Sequence, residues 1–294
     1  MRQKKAESNE KLPCRIWGRV PKAGGGQIGS KMKIHTEYLR DSELLAGYDE
    51  QLRVNIIYPE ARKEVTKDVV RFVRKPPGMN FVSFTFAGDH DLDRVIDEQL
   101  EYFIPKNQPF TWKVYEHDQR PRLEEKLVSR GFVFDDSDPG EIMILDVNNA
   151  SDHLLQPVKA DIRRIHDPDG LKDVIYVLDR VYGNDNAWVN DRLGSHLEIS
   201  GYLSVYLAFV DDQPASVAWT YFPNGHFAML FAGSNISEFR GQGLYTSLLS
   251  IRLQEIRERA YRIAVVEAGS MSRPIVAKHG FQHLTTLYDY EWKK

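Results

Sequence analysis

From residue 171 onward, Leu171, Val174, Ile175, Leu178 and Tyr182 recur at three- and four-residue spacing, which predicts an amphipathic helix. Val158 to Ile165 before it alternates as a strand, and a second helix is expected around Ala187 to Ile199. Tyr202 to Val210 and Ala215 to Phe222 are rich in β-branched and aromatic residues, with Asp211-Asp212-Gln213-Pro214 between them as a hairpin turn. A third strand, His226 to Gly233, follows Pro223-Asn224-Gly225. Leu249, Leu253, Ile256 and Ala260 then mark a helix, and Ile263 to Val266 a buried strand. Ser272 to His279 reads as a short helix closed by Gly280, and Leu284 to Trp292 as a final strand. The predicted order is βααβββαβαβ.

The first half repeats this theme less completely. Asp68 to Arg74 and Asn80 to Ala87 predict a hairpin around Pro76-Pro77-Gly78. Leu92, Ile96, Leu100 and Phe103 give a helix, Phe110 to Glu116 a strand, Arg120 to Arg130 a helix and Glu141 to Val147 a closing strand. Both halves place Arg-Pro near the start of a late helix (Arg120-Pro121, Arg273-Pro274) and end it in Gly-Phe (Gly131-Phe132, Gly280-Phe281). Proline suits a first helical turn because its missing N–H would be unpaired there. The Pro-to-Gly spacing differs by about one helical turn, so the repeat is loose.

The leader differs from the rest. Residues 1–31 hold eight Lys or Arg and two Glu, a net of +6, so the remainder of a chain at −3 carries −9. The leader lacks periodicity and an apolar core of its own, and reads as a disordered extension rather than a secretory signal, with Met32 a candidate first residue of the folded protein. The expected organisation is leader 1–31, first domain 32–150 and second domain 151–294. An acidic body argues against nucleic acid as a partner, since phosphate contacts need a basic face. The one cysteine, Cys14, lies in the leader, which leaves the body without thiol chemistry and fits a reducing cytoplasm. No apolar run approaches the ~20 residues of a membrane span.

Between the apolar run Phe227–Phe231 and the helix beginning at Leu244 stands Ser237-Glu238-Phe239-Arg240-Gly241-Gln242-Gly243-Leu244-Tyr245. Strand, glycine turn and helix N-terminus together aim backbone N–H groups and a helix dipole at one point, a setting for a phosphate-bearing ligand at Gly241 to Thr246. A dinucleotide fingerprint is not completed, because Thr246 occupies the third glycine slot.

Arg240-Gly241-Gln242-Gly243-Leu244, in this element order and with Gly280-Phe281 downstream, resembles the pyrophosphate signature of the GNAT superfamily of N-acetyltransferases. The signature's last slot, usually Gly or Ala, is Tyr245. The resemblance covers roughly residues 158 to 292, and the first half looks like a degenerate copy, as in tandem-GNAT proteins. It implies an α/β fold (α+β, GNAT-like) of two tandem halves, each a mixed twisted sheet flanked by helices. It also implies acetyl-CoA as cosubstrate, with Gly233, Ser234 and Asn235 along the pantetheine arm. Arg240, Gly241, Gln242, Gly243, Leu244, Tyr245 and Thr246 would hold the pyrophosphate, with Arg240 ordering the turn. Direct attack by an amine acceptor on the thioester would follow, beside Ala264 to Ala268.

The matching junction in the first half, Gly88-Asp89-His90-Asp91-Leu92-Asp93, is acidic. Its carboxylates are expected to cap their own helix and repel a pyrophosphate, leaving one active site per chain. Glu267, ending a buried strand, is the candidate base, and Val276 stands where many members carry an acidic tyrosine. His226 is a weaker relay candidate. His279 and His283 have ligand-like spacing, but Gly280 breaks the helix between them, so no metal is expected. Tyr182, Asn184, Asp185 and Trp188, between the first two helices of the second half, are candidate acceptor contacts. The acidic body favours a cationic amine. A non-catalytic acyl-CoA sensor or partner-binding protein is the alternative.

Overall fold

A computed structural model describes residues 41–75, 78–134, 138–183 and 185–293. The leader with Cys14, and also Met32, Pro76, Pro77 and Asn184, lie outside them.

The first half runs α1 (Asp41–Tyr48), a wide π-type turn (Asp49–Val54), β1 (Ala61–Val65), β2 (Val69–Arg74), β3 (Asn80–Thr85), α2 (Leu92–Phe103), β4 (Phe110–Tyr115), α3 (Pro121–Ser129), β5 (Val133–Phe134) and β6 (Gly140–Asp146). The second runs β7 (Asp161–Ile165), α4 (Leu171–Tyr182), α5 (Trp188–Leu197), β8 (Leu203–Val210), β9 (Gln213–Tyr221), β10 (Phe227–Asn235), α6 (Leu244–Glu258), β11 (Ile263–Ala268), α7 (Arg273–Lys278) and β12 (Gln282–Trp292). This is the βααβββαβαβ order predicted for the second half. The β8–β9 hairpin turns on Asp211 and Asp212, both left-handed at φ 48° and 61°, as a two-residue turn of the primed type requires.

The two halves share one 12-stranded sheet in the order β1-β2-β3-β4-β12-β6-β11-β10-β9-β8-β7, with β5 paired to β12. The closing strands are exchanged. β6, from the first half, pairs antiparallel with β11, while β12, from the second, lies between β4 and β6. Each half is therefore completed by the other, and backbone hydrogen bonds run unbroken through the junction.

Alternation along the strands sorts the helices to two faces. Ala228, Leu230, Met143 and Leu145 pack with Leu249, Leu253 and Ile256 of α6 and Val276 of α7. Trp112 and Val114 pack with Leu92 and Ile96 of α2 and Leu123 and Leu127 of α3 on that same side of the sheet. On the opposite face, Tyr48 and Leu52 cover Phe227, Ile263, Val265, Ile142 and Ile144. That face continues to Val205, Val217 and Trp219 beneath α4 and α5.

Arg53 fastens the π-type turn. Its guanidinium is buried, bonds Asp118 through two nitrogens at 2.8 and 2.7 Å and Asp49 at 2.7 Å, and donates from Nε to the Ser83 carbonyl at 3.2 Å. It lies over the Tyr115 ring, 4.0 Å from the centroid. A cation with two carboxylates and a π-face is satisfied without water. Among the described residues, no helix is long and apolar enough to cross a membrane.

Candidate active site

The site begins where two strands part. β10 and β11 are parallel and in register from Phe227↔Ile263 to Leu230↔Val266, and there the ladder stops. β10 then bulges between Ala232 and Ser234, with Ala232 at φ 58° and Gly233 at φ 83°, and its pairing with β9 resumes at Ser234↔Val217. Glu267 and Ala268 continue β11, paired with β6 along its other edge like the rest of the strand, and have no ladder partner on β10. The edges of residues 231–235 and 267–268 that would have paired are left open. A bulge that kinks one strand away from its neighbour is what opens such a gap.

Gly233 is needed there twice over. Its φ disfavours any side chain, and a Cβ would come within 2.9 Å of Tyr245 Cε2. Tyr245, the departure from the signature, thus turns its ring back onto the bulge and away from the glycine loop. The bulge is further held by Tyr182, whose hydroxyl meets Ser234 Oγ at 2.6 Å, and by Ser216, which donates to the Ser234 carbonyl at 3.0 Å and also bonds Asn235. From beneath, buried Arg252 of α6 reaches the Phe231 carbonyl at 3.3 Å. Burial pushes that guanidinium down to about 10.

The glycine loop follows. Gly241 and Gly243 both stand at φ 77°, and a Cβ at either would meet nothing within 4 Å, so the demand is on the dihedral and not on space. The α6 ladder starts at Ser247, whose N–H bonds the Gly243 carbonyl at 2.9 Å. Among the described residues, the N–H groups of Gly241 to Thr246 have no backbone acceptor outside the helix, as expected of a helix start. Gly241, Gln242 and Gly243 are exposed and Leu244 is buried as the anchor. The Arg240 side chain is exposed and has no protein acceptor among the described residues. It is exposed beside the glycine loop, where an anion could reach it. Thr246 Oγ1 lies 3.2 Å from His279 Nε2, tying the loop to the end of α7.

Glu267 is half-buried on the α4/α5 face, beside the gap. It lies over Gly140, where a Cβ would come within 2.8 Å of its Oε1. Its charge reaches Tyr48, Tyr58 and Tyr115, whose hydroxyls are raised chiefly by burial and further by this carboxylate.

The other candidate residues take up contacts of their own. Asp185 accepts from the Ala187 N–H at 2.9 Å, a turn contact, and Asn184 is outside the described residues. His226 precedes β10 at the end remote from the gap, with its N–H on Gln51, and five backbone steps (~17 Å) take it to Phe231. His283 pairs with Glu141 at 2.9 Å while His279 turns to Thr246, so the two histidines diverge. The carboxylates before α2 do not cap it. Asp91 pairs with Arg94, Asp93 with Lys126 and Arg130, and Asp89 with Arg122, because nearby cations outcompete the backbone N–H groups. Asp49, His117 and Asp118 come within ligating reach of one another, yet the Arg53 guanidinium already sits among them.

Sequence reasoning missed a second set of residues on the same face. Glu60, before β1, pairs with Arg74 of β2 at 2.9 Å and meets His196 of α5 at 3.2 Å. His196 Nδ1 lies 2.9 Å from the Tyr221 hydroxyl. His196 and Arg74 outweigh burial and hold Glu60 at about 2. Trp188, an expected acceptor contact, backs this set by lying under Arg192, 4.9 Å from its ring centroid. No periodicity marks these residues, since the cluster exists only once the halves share a sheet.

No family model and no curated protein matches the sequence. Solved structures do resemble the fold. A GCN5-related N-acetyltransferase from Kribbella flavida superposes with a TM-score of 0.61 at 12% identity, over 86% of this chain and 94% of its own. A tandem GNAT protein from the clavulanic acid biosynthesis pathway gives 0.57 at 14% identity, over 84% and 86%. A functionally unknown conserved protein from Staphylococcus epidermidis gives 0.59 at 14%, over 80% and 95%. With one shared sheet, a parted β10–β11 pair and a glycine loop opening α6, the chain has the fold of tandem GNAT proteins.

Proposed function

We propose that the protein is an acetyl-CoA-dependent N-acetyltransferase whose single coenzyme site lies in the second half. The observation that carries this reading is the joining of the β10–β11 gap to the glycine loop. The gap has open backbone edges suited to an amide-bearing arm, and the loop has N–H groups suited to a pyrophosphate. Gly233, Ser234 and Asn235 would line the arm, and Gly241 to Thr246 with Arg240 would hold the pyrophosphate. Acetyl-CoA supplies the activated acyl group as a thioester.

The chain's own residues orient the reaction. An amine brought to the α4/α5 face beside Glu267 gives its proton to that carboxylate, directly or through water, and its nitrogen forms a C–N bond as the C–S bond breaks. The departing thiolate takes a proton from water. Val276, buried at 1% exposure, offers no acid, and a thiolate is a good enough leaving group not to need one. Open N–H groups at the parted strands suit the developing oxyanion.

The test is calorimetry with acetyl-CoA, followed by thiol release over a panel of amines. Binding with turnover on at least one amine supports the reading. The buried Val276 also fits a non-catalytic acyl-CoA sensor, which binding without turnover on every amine would favour.

A further inference from the structure

Arg192 projects from α5 toward the first half, and its guanidinium makes no hydrogen bond among the described residues. Its Nε stands 3.9 Å from Glu60 Oε1, in ion-pair range only, although just 31% of the side chain is exposed. The same Glu60 oxygen is already held by Arg74 at 2.9 Å, so one carboxylate serves two guanidiniums. Among the described residues, buried Arg74 Nε has no acceptor, while His196 Nε2 and Glu60 Oε2 face each other at 3.2 Å. Burial and the charge of Arg74 push Arg192 down, as crowded cations require. Two guanidiniums thus share one carboxylate, which leaves a local surplus of positive charge.

We propose that Arg192 and Arg74 hold a carboxylate of the acceptor, so that the acceptor is a small amine carrying a carboxylate, such as an amino acid. This rests on the acetyl-transfer reading and adds its substrate class. Tyr221 links this place to the gap: its hydroxyl meets His196 Nδ1 at 2.9 Å and its ring packs edge-on against Phe231 at 5.4 Å, and Phe231 is one step past the last β10–β11 pair, level with Glu267. An amine at Glu267 and a carboxylate at Arg192 then lie in one molecule. The Trp188 ring fixes the plane of the Arg192 fork, and a planar fork matches a carboxylate in two bonds. The acidic net charge of the body had favoured a cationic acceptor, but a local surplus of positive charge acts at shorter range than the net charge.

The experiment compares amino acids with their carboxamides, and with amines bearing a phosphate, on wild type, Arg192→Gln and Arg192→Lys. Thiol release and calorimetry of each amine are the readouts, with acetyl-CoA affinity measured separately. In wild type, acids are expected to outperform amides by roughly tenfold or more, mostly through KM. Arg192→Gln should erase that difference, Arg192→Lys should restore part of it, and neither should change acetyl-CoA affinity. Amides equal to acids in wild type, a preference that survives Arg192→Gln, or a phosphate-bearing amine taken in preference would each overturn the proposal. If no amine turns over, selective calorimetric binding of the acids still supports it, and binding of neither acids nor amides overturns it. Loss of acetyl-CoA binding in wild type would instead refute the coenzyme reading.

Discussion

The Tyr245 ring rests against Gly233, so closely that a Cβ on Gly233 would stand 2.9 Å from Tyr245 Cε2. The helix that carries the phosphate loop is thereby keyed to the bulge that opens the gap. Gly233→Ala adds that clash to a left-handed φ of 83° that costs an L-residue roughly 1–2 kcal/mol. We expect coenzyme affinity to fall about tenfold or more, with a lower melting temperature. Calorimetry and thermal unfolding check this, and unchanged affinity would show that the bulge does not shape the site.

Gly243 makes no such contact, and a Cβ there meets open space. Gly243→Asp should cost roughly 1 kcal/mol for its left-handed φ of 77° while placing a negative charge among the N–H groups at the start of α6. Repulsion at a helix start is worth ~1 kcal/mol alone, and direct obstruction of a pyrophosphate adds to it. Coenzyme binding should be lost at concentrations that saturate wild type, with the unfolding midpoint lowered by only a few degrees. Full affinity in this variant would remove the loop from the site.

The elements with clean periodicity are the ones that could be read in advance. Leu92, Ile96, Leu100 and Phe103 lie one turn apart, and α2 spans Leu92–Phe103. The glycine loop was also readable, since Gly241 and Gly243 stand between an apolar strand and an amphipathic helix. The segment from Asp41 to Val65 was not, because its order comes from Arg53 bonding residues far along the chain. Strand exchange was equally hidden: β6 and β12 show the same alternation whichever sheet edge they join. Glu60, Arg74, Arg192 and His196 follow from that exchange and carry no local signal.

Arg53 supports the first half's cover over the shared sheet. Arg53→Ala leaves Asp49 and Asp118 facing each other without their cation, a change that costs about 3–5 kcal/mol where a buried pair is broken. Urea unfolding should show a loss of that order, and a change under about 1 kcal/mol would mean that the cluster behaves as a surface pair.

Glu60 couples the halves in a pH-dependent way. Its folded pKa, about 2, lies below the ordinary glutamate value of 4.5, so the stability it contributes is present above pH 4.5 and is lost as pH falls toward 2. The shift corresponds to about 3 kcal/mol as an order of magnitude. Glu60→Gln should therefore lower stability at neutral pH and flatten the acid limb between pH 4.5 and 2. Denaturant titrations at pH 7, 4 and 2.5 measure it. A variant as stable as wild type at pH 7, with an unchanged acid limb, would contradict the coupling.

Titration of the wild-type chain with acetyl-CoA in a calorimeter tests the central claim most directly. The account predicts saturable binding of one acetyl-CoA per chain, abolished in Gly243→Asp. No heat at millimolar acetyl-CoA, or two equivalent sites per chain, would contradict it.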